Sequence, residues 1–178
     1  MATESARPKV NLGFNQEQLE GLIGHVKEEP EAGKTVWNAR THWLGGFASQ
    51  AQIRDFTIRM DEPPPLGGSN TAPNMVEMDL GAYGCCLTTG YVMNAGLAGI
   101  KLEGVDVELE GDLDLRGFFG LSSEVSPGYS GIRAKVRLSA PDATPEQLAA
   151  LHQKVVGTSP VGAILGRPVP METTLETE

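Results

Sequence analysis

The chain has little cysteine, little histidine, few basic residues and no long apolar run, and each scarcity excludes something. Its only two cysteines, Cys85 and Cys86, are neighbours, so a disulfide framework is excluded and a reducing, cytoplasmic setting is expected. His25, His42 and His152 lie in unlike surroundings without metal-ligand spacing, so no metal site and no cofactor is expected. The 14 Lys and Arg stand against 23 Asp and Glu, a formal net charge of −9; nucleic acid and anionic membranes, which need a basic face, are not expected partners. The most apolar stretch is broken by Glu77, Asp79 and Asn94, short of the roughly 18 uninterrupted residues of a spanning helix. The opening MATESARPKV lacks the apolar centre of a secretory signal.

What remains, at 178 residues with 40% hydrophobic and 21% charged residues, is an ordinary globular composition, large enough for a core. The chain is organised around Asn74 to Gly99. Pro73 before it and Gly99 after it mark the ends of a helix. Apolar residues occur almost all round its wheel, so it is expected to be buried. Gly81, Gly84, Gly90 and Gly96 each cost roughly 1 kcal/mol against alanine in a helix interior, which implies the close approach of another backbone.

Residues 1–12 read as a loosely held terminus. A helix starts at Asn15 or Gln16, carries Leu19, Leu22, Ile23 and Val26 on one side, and ends by Pro30; residues 1–31 are expected to form an N-terminal extension to a domain spanning 32–178. Two strands follow, 35–44 and 47–60, hinged at Gly45-Gly46. After the central helix, 102–115 is a strand with an acidic outer face. Ile132 to Leu138 is a strand with Arg133, Lys135 and Arg137 outward, and the two faces are expected to pair across an antiparallel ladder. The loop between them carries Phe118, Phe119 and Leu121, read as packing residues or as the wall of an apolar pocket. Thr144-Pro145-Glu146-Gln147 opens a helix with a capping box, Ser159-Pro160 opens a second, and 169–175 reads as a closing strand. Antiparallel strands with segregated helices give an α+β fold.

The run Asp61-Glu62-Pro63, then Leu66-Gly67-Gly68-Ser69-Asn70, the cysteine-bearing helix, and Ser159-Pro160-Val161 together resemble the OsmC/Ohr family of osmotically induced and organic-hydroperoxide-resistance proteins, from about Thr35 onward. The resemblance implies an intertwined homodimer whose sheets wrap two long central helices, with a peroxide-reducing site at each end of the interface. It places the peroxidatic cysteine at Cys86 and the site's arginine at Arg59, with Tyr83 where one branch of the family often has tyrosine. It also shows two departures. The family's Asn-Pro-Glu falls on Asn74-Met75-Val76, so the glutamate that would hold Arg59 is absent, and its resolving cysteine falls on Ser159.

The chemistry explains why those positions matter. The attacking species is the thiolate, and a free thiol with a pKa near ~8.5 is only a few per cent ionised at neutral pH. A guanidinium such as that of Arg59 favours the charged form and donates hydrogen bonds to peroxide oxygens. Glu77 sits one residue beyond the lost glutamate, about 100° round the helix, and is a poor substitute; Asp61 is the other candidate for holding Arg59. Without a cysteine at 159, the sulfenic acid left by the first step needs an external thiol, because a disulfide between Cys85 and Cys86 would break the helix. The plainer readings are Cys85 as a core residue, Cys86 as a core residue as readily as a reactive one, Arg59 as a surface ion pair with Asp61 or Glu62, Ser159 as a helix cap, and Arg40 and His42 on one solvated strand face.

The expectation is thus an OsmC-like homodimer related to stress-response hydroperoxide reductases, at best a one-cysteine thiol-dependent peroxidase using Cys86 and Arg59. The alternative is a non-catalytic dimeric protein binding a small apolar ligand in an interfacial pocket.

Overall fold

The computed structural model describes residues 10–177; the reading of the terminus over residues 1–9 lies outside the described residues. Gly13–Gly81 forms one compact unit, and the described residues up to Leu12 join those from Ala82 onward in a second.

The first unit opens with α1 (Gln16–Glu28), capped by the Asn15 side chain, which accepts from the Gln18 N–H, and stopped at Pro30. Its amphipathic sequence leaves none of its residues buried. Then come β1 (Arg40–Gly45), β2 (Ala48–Ile53) and β3 (Phe56–Met60), an antiparallel sheet in the order β1-β2-β3. The stretch expected as one strand over 47–60 is therefore two. Arg54 turns the chain with a φ of +53°, and Ile53 pairs with Phe56 across that turn. Residues 35–39 do not join β1. The register gives the sheet two unlike faces: Trp43, Ala51, Ile53, Phe56, Ile58 and Met60 on one, and Arg40, His42, Gln50, Gln52, Thr57 and Arg59 on the other. Only Ala51 among the unit's apolar side chains is buried, while Trp43 is 77% exposed.

α2 (Met75–Ala98) spans the expected central stretch. Asn74 caps it: its side chain accepts from the Glu77 N–H and its own N–H donates to the Glu77 carboxylate, a reciprocal box that removes two orphan donors.

The second unit holds the core. β4 (Gly104–Leu113) and β5 (Tyr129–Ser139) form an antiparallel pair joined through the short α3 (Leu115–Phe118), and α4 (Pro145–Thr158) and α5 (Pro160–Gly166) follow. The expected charge pairing is present: Arg137 bridges to Glu108, and Arg133 to Glu110 and Asp112. Phe118, Phe119 and Leu121 are exposed. α4 carries the Thr144–Gln147 capping box read from the sequence. Residues 169–175 form no strand, and Val169, Met171 and Leu175 are exposed; period-two alternation specifies a strand only where a sheet edge accepts it.

Leu87, Tyr91 and Ala95 lie four residues apart on α2 and pack with Leu151 and Val155 of α4. The Tyr91 hydroxyl, fully buried, is bonded to Nδ1 of His152. Two of the α2 glycines admit side chains of the same chain: a Cβ at Gly84 would lie 2.8 Å from a Leu109 methyl, and one at Gly90 2.9 Å from Cγ1 of Val155, whereas one at Gly81 would meet nothing within 4 Å. Val155 is buried, and its β-branched side chain is stiff in a helix. Gly90→Ala is therefore expected to lose up to about 2 kcal/mol, overpacking of ~1–3 kcal/mol set against a propensity gain of ~1 kcal/mol. In a Val155→Ala background the same change is expected to become neutral or stabilising. Urea unfolding of the four proteins of that cycle checks the coupling.

Candidate active site

The candidate residues fall in both units. Arg59 is exposed on β3, directly opposite Gln50, which in turn lies opposite His42. All three stand in one row of the polar face, so the solvated reading of Arg40 and His42 extends to Arg59. The expected ion pair with Asp61 or Glu62 does not form; among the described residues Arg59 makes none.

The reason lies in where the two acids are used. Asp61 is buried, with its carboxylate accepting from the N–H groups of Glu62, Ser69 and Thr71 and from the Thr71 hydroxyl. Those bonds, the Thr71 N–H foremost, hold its pKa below 3.8 against the opposing effect of burial. Glu62, also buried, accepts from the Asn74 side-chain amide. The Gly67-Gly68 pair belongs to the same construction: Gly67 has a φ of +89°, and a Cβ on Gly68 would fall 1.8 Å from the Glu62 carbonyl oxygen. Asp61 and Glu62 thus fasten the 61–74 loop that starts α2, and Glu77 is held in the cap. None of the three takes over from the missing glutamate.

In the second unit, Cys86 is half-buried and Cys85 is exposed. This corrects the core reading of Cys85, whose side chain turns outward one residue round the helix. Cys86 Sγ lies 3.3 Å from the Oγ of Ser159, the position at which the resemblance puts a resolving cysteine. Ser159 is 6% exposed and caps α5, its Oγ accepting from the Gly162 N–H at 3.1 Å. The capping role read from the sequence and the neighbour relation implied by the resemblance are both present in one side chain. Tyr83 belongs to this region too: a Cβ at Gly162 would stand 2.9 Å from its ring.

Both cysteines line a groove of about 430 Å³ between α2 and the α4–α5 junction, with Thr89, Met93, Val155 and Pro160 among its other walls. None of its lining residues is charged. Thr89, Met93 and Val155 were not singled out from the sequence as site residues. The available signal was spacing: Cys86 and Gly90 are one turn apart on α2, as Val155 and Ser159 are at the end of α4. No three His, Cys, Asp or Glu side chains cluster as a metal site among the described residues, and none of their helices is long and apolar enough to cross a membrane.

A long helix with antiparallel sheets and a half-buried cysteine facing a helix cap defines an α+β protein with a thiol site. The model of the OsmC-like protein family matches residues 68–174, more than half of the chain, and the chain belongs to that family. Solved structures share its fold. An OsmC-like protein from Mycoplasma pneumoniae superposes with a TM-score of 0.64 at 12% identity, covering 75% of this chain and 89% of its own. An OsmC-like protein of unknown function from Vibrio cholerae gives 0.59 at 14%, covering 72% and 92%. An organic hydroperoxide resistance protein OsmC from Legionella pneumophila gives 0.54 at 20%, covering 72% and 89%. No curated protein matches the sequence.

The Asp61 anchorage carries a pH signature. A depressed folded-state pKa contributes stability that is complete above the unfolded value and is lost as pH falls through the folded one. Asp61→Asn is expected to be less stable than the parent at pH 7, and the difference is expected to shrink once pH drops below about 4. Thermal unfolding of both proteins from pH 7 to pH 3 checks it; a gap independent of pH would mean that the carboxylate's charge contributes nothing.

Proposed function

We propose that the protein is a one-cysteine, thiol-dependent hydroperoxide reductase acting as a homodimer, with Cys86 as the peroxidatic cysteine and Arg59 as the cation that favours its thiolate. The observation that carries this reading is the half-buried Cys86 sulfur at the wall of an uncharged groove, in a chain of the family whose relatives include a protein named for organic hydroperoxide resistance. The Cys86 thiolate attacks the terminal oxygen of ROOH; the O–O bond breaks, an S–O bond forms, and the alkoxide takes a proton and leaves as ROH. The resulting sulfenic acid condenses with an external thiol, forming a mixed disulfide and water. A second external thiol then displaces Cys86 and carries away the disulfide.

The dimer is supported by the first unit, whose three-stranded sheet buries only Ala51 of its apolar face and leaves Trp43 and Phe56 on that face exposed. Such a sheet needs cover to persist in water, and a second copy supplies cover of the right kind. Sedimentation at micromolar concentration is expected to give twice the 18.9 kDa chain mass.

The direct test is consumption of cumene hydroperoxide with dithiothreitol as reductant. Cys86→Ser is expected to abolish turnover, Cys85→Ser to leave it unchanged, and Arg59→Ala to slow it about ten- to a hundredfold, the loss of one charge-assisted contact. Ser159→Cys is expected to convert the oxidised product from a sulfenic acid, trapped by dimedone, into an internal disulfide, because its sulfur would replace an oxygen 3.3 Å from Cys86. Cys86 unmodified by peroxide at neutral pH would sink the enzyme and leave the second reading, a binding protein holding a small apolar ligand in the same groove. The features that favour that reading are Val76 and Ser159 at two of the family's catalytic positions.

A further inference from the structure

We infer that Ser159 is a positioning residue for Cys86, its hydroxyl proton directed at the sulfur whenever the sulfur is a thiolate. This rests on Cys86 being the reacting atom of the site. A serine hydroxyl has one proton and two acceptor lone pairs. One lone pair of Ser159 Oγ is occupied by the Gly162 N–H at 3.1 Å. The only other side-chain partner of this hydroxyl among the described residues is Cys86 Sγ at 3.3 Å. With the thiol protonated, either atom can donate. Once the sulfur has lost its proton it can only accept, so the Ser159 O–H must point at it. A hydrogen bond that strengthens when its acceptor becomes charged favours the charged form, and burial of Ser159 to 6% exposure limits competition from water for that proton.

The same cap fixes the donor in place. The Gly162 N–H to Ser159 Oγ bond sets the serine rotamer at the start of α5, and Pro160 fixes the backbone immediately after it. Ser159 therefore does for Cys86 part of what a cation would do, through an uncharged group that adds nothing to the groove's charge. A cysteine at this position could resolve the oxidised sulfur; the serine cannot, but it is the better hydrogen-bond donor. The substitution trades a second thiol for a fixed proton donor.

The test reads the sulfur without peroxide. In a Cys85→Ser background, the rate of Cys86 alkylation by iodoacetamide is followed from pH 6 to pH 10 for Ser159 and for its Gly, Ala and Thr variants. Gly retains most of a cap's stability where Ala does not, and Thr keeps both the cap and the hydroxyl. Ser159→Gly and Ser159→Ala are expected to slow alkylation at pH 7 about tenfold and to move the profile roughly one pH unit to the alkaline side. Ser159→Thr is expected to stay within about twofold of the parent. Superimposed profiles for Ser159 and Ser159→Gly would overturn the inference, as would a Thr variant as slow as the Gly variant. Loss of peroxide turnover with the alkylation shift intact would defeat the proposed activity and leave the serine's role standing. Urea midpoints of the four proteins separate a shifted profile from a loosened fold.

Discussion

The approach of Val155 to Gly90 sets the register of the site. With no side chain at Gly90, α4 comes close enough for Val155 to occupy the space where a Cβ would be. Tyr91 and Leu87 lie buried beside that contact, with Leu151 and Val155 opposite. Once Gly90 and Val155 are in register, the helical repeat dictates the next contact. One turn back along α2 is Cys86, one turn on from Val155 is Ser159, and those two side chains meet at 3.3 Å. Past the break at Ser159, where α4 gives way to α5, Tyr83 meets Gly162. Gly90 on α2 and Gly162 on α5 allow this close packing, and the cysteine and its hydroxyl neighbour lie between them. The Cys86–Ser159 geometry thus follows from core packing at the Gly90 contact.

The first unit shows the opposite economy. Its sheet has one polar and one apolar face, yet only Ala51 is buried, and its most fully bonded feature is polar: the Asp61 carboxylate with four donors. That knot fixes the loop into α2. It also consumes the acid nearest in sequence to Arg59, while the Asn74 cap consumes Glu77. No acid within 61–77 pairs with Arg59, which is exposed on the same row as Gln50 and His42. An arginine without a carboxylate partner has a whole unit charge available to an anion, but its side chain lacks the contact that would hold it in one geometry.

Much of this was legible in the sequence because it rests on local chemistry. The central helix announced itself through Pro73, Gly99 and a proline-free run rich in small and apolar residues. The caps at Thr144 and Ser159 were visible because capping needs a side-chain oxygen at one defined position. Cross-strand charges between 104–113 and 129–139 were visible because alternation fixes which residues share a face. Three things were not. The turn at Arg54-Asp55 has no glycine or proline to mark it, so two strands read as one. The tail over 169–175 alternates like a strand, but alternation says nothing of whether an edge is available. The exposure of Cys85 was the third, because only the packing round α2 decides which side of a helix apolar nearly all round is left open.

That decision shapes the chemistry open to the chain. Cys85 is exposed, and as the next residue on the same helix it points about 100° away from Cys86, so it cannot close a disulfide without unwinding α2. Ser159 stands where a second thiol would be useful and offers a proton instead. A Cys86 sulfenic acid in this groove thus has no internal route back to the thiol. Its lifetime is set by how readily an external thiol enters an uncharged groove of about 430 Å³, in a chain of net charge −9. A small neutral thiol meets no electrostatic barrier there, whereas an anionic one approaches against the field of the whole molecule. In the proposed cycle, the absence of a single sulfur atom moves control from the protein's own fold to the thiols around it.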